Sequence, residues 1–468
     1  MTDKPNILVI MSDEHDPAVM GCYGDKVVDT PNFDRLADEG ITFDAAYTTS
    51  PLCVPARLSF VAGQYISRCG AWNNACWLPS DDYSSLPHLL NAAGYDSLLG
   101  GKMHFDPERR YGFRDLYESQ GNQNKNKKGG GGGRRDPKDT KPVYASWEQR
   151  SAKFHAGDTS SVLDKDRDVT QYCSEFLKNY KAEDKPFFLL AGYLSPHFPL
   201  IVPQELWDKY KDRVDMPDIP EGFLEKLPTN YKQLRYGFGV TDTDPEVVKK
   251  GRELYWAFCE WLDIEVGKLL GALGDSRAAD NTIVIYCSDH GENKGDHGLW
   301  WKNNMYEHSA RMPLIVWYPQ RWTGGQRRAQ ACSLVDLTKT IAELCGEQSP
   351  DDWDGASLVP YLDDEQTGSR DLAVCEYFAH NISSGFCMLR QGQWKYVYHT
   401  RMNDKFGPER ELYDLESDPG EFKNLAEEAD QSDRIKKLHA LLVKEIGREP
   451  DEAETQCRAD YARGYERE

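Results

Sequence analysis

The 468-residue sequence predicts an α/β fold: a large, mainly parallel mixed sheet sandwiched by helices, then a smaller C-terminal antiparallel sheet with a terminal helix. Three observations predict it. Four short, nearly continuous apolar runs each end in polar residues of catalytic type, as expected of strands buried on both faces. The stretches between them carry apolar residues at helical spacing with cap signals. After about Asp371 the pattern changes to alternation broken by tight turns.

The first run, Ile7-Leu8-Val9-Ile10-Met11, leads to Ser12-Asp13-Glu14. Pro31 to Glu39 has helical spacing and closes on Gly40, a cap residue. Cys53-Val54-Pro55-Ala56-Arg57 then runs into Leu58-Ser59-Phe60-Val61-Ala62-Gly63, and Pro55 suits a first helical turn because its missing N–H costs nothing there. Tyr95 to Leu99 leads through two glycines to Lys102-Met103-His104, and Phe187 to Tyr193 leads to Ser195-Pro196-His197. A long helix opens at Asp244-Pro245-Glu246 and carries Leu254, Tyr255, Phe258, Leu262, Val266, Leu269 and Leu270 on one face, a stripe best read as core. Thr282 to Cys287 leads to Ser288-Asp289-His290-Gly291. In parallel sheets ligands sit beyond the carboxyl ends of strands, so these polar groups are expected to converge on one edge. The smaller sheet is expected from Ala373–Phe378, Phe386–Leu389 and Trp394–His399, with a turn at Gln391-Gly392 and an amphipathic helix from about Asp433 to Ile446. This places a boundary near residue 365, dividing a catalytic region 1–365 from a C-terminal region 366–468.

Composition excludes several classes. A formal net charge of -21 argues against nucleic acid or an anionic membrane as a broad-surface partner. No apolar run approaches the ~18 residues of a membrane span. The N-terminal residues lack the regions of a secretory leader, and the twelve cysteines show no C-x-x-C pair. Both point to the cytoplasm, or to the periplasm if a leader has been removed. A Gly-rich insertion at about 115–160 holds Gly129 to Gly133 flanked by Lys125, Lys127, Lys128, Arg134 and Arg135, suited either to a lid over an anionic ligand or to a solvated loop.

Cys53 stands just ahead of a helix, facing unpaired N–H groups and the positive end of the dipole, with Arg57 one turn away. Such a pocket attracts anions. Asp13, Glu14, Asp289 and His290 come from two strand ends, and carboxylates gathered at one point repel unless a cation lies between them. Oxygen-rich ligation favours calcium or magnesium, while His290 also suits manganese or zinc.

With these residues in place the chain resembles the formylglycine-dependent sulfatases of the alkaline phosphatase superfamily. The resemblance rests on the C-x-P-x-R motif at Cys53 to Arg57, the acidic pair Asp13-Glu14, Gly101-Lys102-Met103-His104, Ser195-Pro196-His197, Ser288-Asp289-His290-Gly291-Glu292, Gly295 to Lys302, and Leu412 to Gly420. It implies an alkaline phosphatase-like fold, and it implies that Cys53 is oxidised by a formylglycine-generating enzyme to an aldehyde whose hydrate is the nucleophile. By the same resemblance, Asp13, Glu14, Asp289, His290 and residue 53 hold a divalent metal, calcium first. Arg57, Lys102 and Lys302 stabilise charge, His197 serves the leaving oxygen, and His104 is the base for the second hydroxyl. His15, His88, His155, His399 and His439 are assigned no chemistry.

Within the family the chain is most similar to the choline sulfatase and phosphonate monoester hydrolase branch, because His290 stands where arylsulfatases carry Asn. Glu14 stands where many members have a second Asp. Asn74, with Asn73 as its neighbour, matches the position that touches the transferred group in that branch. His380 stands where an acid would complete a cage for choline, so His380, Arg390 or the basic insertion is expected to favour a sulfated sugar or another anionic organic sulfate. The expected activity is hydrolysis of a small organic or carbohydrate sulfate ester. Phosphonate monoester or phosphodiester hydrolysis with the same nucleophile is the alternative, and a non-catalytic sulfated-glycan binder is a third class.

Overall fold

The run Ile7 to Met11 has no polar face to offer solvent, and the chain buries it on both sides. The protein is described here from a computed structural model covering residues 4–465, except 107, 118–132, 144–146, 182 and 369. The large sheet contains, in chain order, β1 (Asn6–Asp13), β2 (Ile41–Phe43), β3 (Asp96–Gly101), β4 (Arg114–Asp115), β5 (Phe187–Pro196), β6 (Thr282–Ser288), β7 (Leu314–Trp317) and β8 (Gln326–Arg328). Their spatial order is β8-β2-β7-β6-β1-β5-β3-β4. β1 pairs in parallel with both β5 and β6, and β5 in parallel with β3, while β7 runs antiparallel to β6. The four long apolar runs are therefore the four central strands, and their carboxyl ends share one edge.

Alternate residues of β1 feed two cores. Ile7, Val9 and Met11 pack with the helices α2 (Cys53–Ala62) and α5 (Leu334–Leu344). Leu8 and Ile10 pack with α1 (Pro31–Glu39), α3 (Ser161–Asn179) and α4 (Pro245–Gly274). Each such side chain contributes about 1.5–3 kcal/mol on burial, which is why the sheet tolerates no polar residue before its edge. The α4 helix starts as its sequence predicts, with Asp244 accepting from the Glu246 amide at 2.9 Å.

The smaller sheet is four-stranded and antiparallel: β9 (Ala373–Tyr377), β10 (Phe386–Gln391), β11 (Trp394–His399) and β12 (Glu409–Asp414). Helices α6 (Ser432–Ile446) and α7 (Pro450–Ala462) follow. β12 and α7 go beyond the sequence expectation. β12 reads Glu-Arg-Glu-Leu-Tyr-Asp, with little apolar alternation. The buried side of α7 includes Glu454 and Asp460, whose partners lie far away in sequence: Arg134 for Glu454, and the Trp72 indole for Asp460 at 2.7 Å.

The insertion differs from expectation where it is described. Arg134 is buried in a two-point contact with Glu454, and Arg135 donates to Gln233 at 2.6 Å, so neither serves an anionic ligand. Lys125, Lys127, Lys128 and Gly129 to Gly132 lie outside the described residues. All twelve cysteines are free thiols, and all but Cys22 are buried. Among the described residues no helix is long and apolar enough to cross a membrane.

Candidate active site

Register delivers the two aspartates together. Ser12 of β1 pairs with Ser288 of β6, so the next residue of each strand, Asp13 and Asp289, leaves the sheet beside the other. β3 ends next to β5 with Gly101 paired to Gly192, and the Lys102 amide donates to the Gly192 carbonyl at 2.8 Å. A Cβ on Gly192 would come within 2.1 Å of the Lys102 carbonyl oxygen, so only glycine lets the Lys102 backbone cross here.

Cys53 is the first residue of α2, a helix buried along its whole length. Its N-cap, Leu52, has no side chain to satisfy the opening turn, and Asn74 takes that role by accepting from the Val54 amide at 3.1 Å. The segment carrying Asn74 is anchored in turn: Trp72 donates to Asp460, and Asn73 bonds the Tyr465 hydroxyl. With its Oδ1 spent on Val54, Asn74 has its amide nitrogen left to offer an anion.

Arg57, fully buried one turn along α2, ties the site together. Its Nε donates to Asp289 Oδ2 at 2.8 Å, its Nη2 to Asp13 Oδ2 and the Ser12 carbonyl at 3.2 Å each, and its Nη1 to the Lys102 carbonyl at 2.7 Å. Lys102 adds a close ion pair to Asp13. The Cys53 sulfur lies 3.6 Å from Asp13 Oδ1 and 3.4 Å from His290 Nε2, and His104 hydrogen-bonds it. Burial pushes the Cys53 thiol up, but Lys102, Lys302, His290 and the His104 bond outweigh it and hold the thiol well below its ordinary range. Burial likewise raises Asp13, and Lys102, His197 and Arg57 override it to hold that carboxylate far down. The same burial lowers the His104 imidazole.

Ligand atoms of Asp13, Cys53, Asp289 and His290 all lie within 4.8 Å of one another. The Nδ1 of His290 faces the Gly291 carbonyl at 3.0 Å, which directs Nε2 toward the cluster. These donors fit a divalent cation, and the four side chains form a group able to hold a metal ion. Glu14 stands outside that foursome. It groups instead with Asp13 and His197, with its Oε2 3.0 Å from the Lys302 ammonium and 3.4 Å from His197 Nε2. Burial drives the Glu14 carboxyl well up, offset only in part by Lys302. Its two oxygens are buried without a hydrogen bond among the described residues, and its backbone is left-handed at φ 70°, as is that of His104 at φ 60°.

His380 lies at the rim, its imidazole pushed down to about 4 by burial together with the charges of Lys302 and Arg150. Arg390, offered by sequence as a substrate contact, is engaged elsewhere, donating to the Tyr47 hydroxyl at 3.1 Å. Sequence reasoning missed the support behind the site. Asp16 receives a close pair from Lys294 and accepts from His308 at 2.6 Å, and Glu292 Oε1 accepts the amides of Lys294 and Trp301 to fix the loop that carries Lys302. A charged residue soon after each strand end was the only signal, and nothing local pairs residues 278 positions apart.

A large mixed sheet with a buried nucleophile position, two carboxylates and three cations at its carboxyl edge defines an alkaline phosphatase-like hydrolase of anionic esters. Residues 5–347 match the sulfatase family and residues 295–448 the C-terminal family of N-sulphoglucosamine sulphohydrolase; the chain belongs to the sulfatase family of sulfuric ester hydrolases. It is 32% identical over 451 residues to the choline-sulfatase of Rhizobium meliloti (strain 1021), covering 91% of this chain and 83% of that one. Its fold matches, with a TM-score of 0.74 and 24% identity, a protein solved in complex with its substrate D-glucosamine-2-N,6-O-disulfate, covering 96% of this chain and 100% of that one. It also matches the phosphonate monoester hydrolase of Agrobacterium radiobacter, with a TM-score of 0.69 and 22% identity, covering 98% and 96%.

Proposed function

We propose that this sulfatase releases inorganic sulfate from a small organic or carbohydrate sulfate ester at residue 53, with Cys53 converted to formylglycine and a calcium ion held by Asp13, Asp289, His290 and residue 53. The observation that carries this reading is the meeting of Asp13, Asp289 and His290 with Cys53 at a helix start, in a cluster within 4.8 Å. When present, the formylglycine hydrate supplies one oxygen to take the sulfuryl group and a second to release it, and the cation supplies positive charge toward the sulfate oxygens.

The chain's own residues do the rest. Asp289, oriented by the Arg57 Nε and by the Glu14 amide at 3.1 Å, takes the proton from the attacking hydroxyl. Arg57 keeps both aspartates ionised and aimed, and Lys102 and Lys302 balance negative charge at the transferred group. His104, in hydrogen-bond contact with position 53 and held neutral by burial, is placed to take the proton that frees sulfate. His197, with its Nε2 toward Glu14 and its Nδ1 on the Phe198 carbonyl, is placed to serve the leaving oxygen. Asn74 and His380 face the substrate in this reading.

The test is sulfate release, followed by ion chromatography, from aryl sulfate, choline-O-sulfate and sulfated hexosamines, beside turnover of an aryl phosphonate monoester. Sulfate esters are expected to be the better substrates by kcat/KM. The fold shared with a phosphonate monoester hydrolase favours the second reading, and a faster phosphonate reaction would establish it.

A further inference from the structure

Three aromatic rings gather at the mouth of the site. Phe198 follows His197, Trp301 precedes Lys302, and Phe238 ends the helix Thr229–Phe238. Phe238 and Trp301 lie 5.1 Å apart between centroids, and Phe198 and Trp301 6.4 Å. Such a cluster has the character of a cage for a quaternary ammonium.

The chain fills that cage itself. The guanidinium of Arg150, on the short helix Trp147–Ser151, lies 4.3 Å from the Trp301 centroid, 5.5 Å from that of Phe238 and 5.8 Å from that of Phe198. Lys153 adds a second cation 5.7 Å from the Phe198 centroid. A cationic leaving group would have to displace one like charge and approach another. A guanidinium stacked by its face still presents N–H edges in its plane, the geometry that receives a sulfate or carboxylate at two points. The effect of Arg150 on His380, which also feels Lys302 and Cys53, places this cation within electrostatic reach of the reaction centre. In a chain of net charge -21, a rim of this sign has a use only toward an anion.

We propose that Arg150, assisted by Lys153, forms an anion subsite that binds a second acidic group, a further sulfate or a carboxylate, on a saccharide sulfate ester, and that the same residue excludes choline-O-sulfate. The inference rests on the sulfatase reading and narrows its substrate class.

The experiment compares wild type, Arg150→Met, Arg150→Lys and Lys153→Met on a monosulfated and a disulfated hexosamine differing by one sulfate, and on choline-O-sulfate, reading released sulfate. The wild type is expected to prefer the disulfated sugar by at least about tenfold in kcat/KM, with the preference eroding as salt is added. Arg150→Met keeps the stacking bulk without charge, and is expected to lose the preference mainly through KM and to gain turnover of choline-O-sulfate. Arg150→Lys is expected to retain part of the preference, and Lys153→Met to weaken it. An active wild type without the preference, or an Arg150→Met variant that keeps it, overturns the subsite alone. A wild type inert toward every sulfate ester overturns the sulfatase reading, and the subsite with it.

Discussion

Replacing Arg57 by Met tests how the site holds two buried carboxylates side by side. The substitution keeps the bulk of the side chain and removes its hydrogen bonds to Asp13, Asp289, the Ser12 carbonyl and the Lys102 carbonyl. Lys102 still serves Asp13, and the Glu14 amide still serves Asp289 Oδ1, but the charge that spans the two aspartates is gone. Breaking a fully buried pair of this kind costs about 3–5 kcal/mol. At ~2.1 cal/mol/K per residue, the unfolding entropy of a chain this long is about 1 kcal/mol/K, so the thermal midpoint of metal-stripped protein should fall by about 3–5 °C. Calcium then offers a replacement charge to the same carboxylates. Its addition should therefore raise the midpoint of Arg57→Met more than that of wild type, while kcat stays about 100- to 1000-fold down because the ion does not restore the donors around the transferred group. Differential scanning of both proteins, stripped and calcium-loaded, gives the four midpoints. Equal calcium shifts in the two proteins, or an unchanged midpoint in the stripped variant, would refute the argument that Arg57 and a cation compensate the same pair.

Cys53→Ala should abolish sulfate release and move the midpoint by less than about 2 °C, since one small side chain is lost at a helix start. Intact mass of active wild type should show the thiol replaced by an aldehyde. Chelation should stop turnover and lower the midpoint, and calcium at ~100 times its dissociation constant should restore about 2.7 kcal/mol, or about 3 °C, with magnesium, manganese and zinc compared in parallel. Glu376, buried on β9, has its carboxyl pushed up from 4.5 to about 7 by burial, offset in part by the Ser67 amide at 3.0 Å. A carboxyl with a raised native pKa binds its proton more tightly when folded, so its contribution is full below 4.5 and is lost as pH climbs toward about 7. Glu376→Gln keeps an acceptor for Ser67 and removes the titration. Its stability relative to wild type should rise by about 3 kcal/mol across that window, as read by urea unfolding at several pH values.

The central strands were legible because a strand buried on both faces must be apolar throughout, so Ile7 to Met11 and Thr282 to Cys287 announce themselves, and with them the polar residues at their ends. The encounter of Asp13 with Asp289 follows from parallel pairing in register. Position 53 was legible because proline in a first turn marks a helix start. Other features depend on partners that no local pattern specifies. Helix α7 turns Glu454 and Asp460 inward to meet Arg134 and Trp72, so its buried side looks polar in sequence. Glu14 looks like a second metal ligand beside Asp13, yet its left-handed backbone turns it toward Lys302 and His197. Arg150 sits in an insertion whose neighbours read as a solvated loop, and its aromatic partners come from three other segments.

The hydrogen bond between Trp72 and Asp460 joins residues 388 positions apart, and through Asn74 the same segment closes the opening turn of α2. During synthesis, that clasp cannot form until α7 has left the ribosome. The nucleophile segment therefore waits as an open loop while most of the polypeptide is being made. If Cys53 is converted as proposed, this interval is when a modifying enzyme can grip it, because in the finished protein only 2% of the residue remains accessible. Translation speed and the supply of that enzyme would then set the fraction of active molecules.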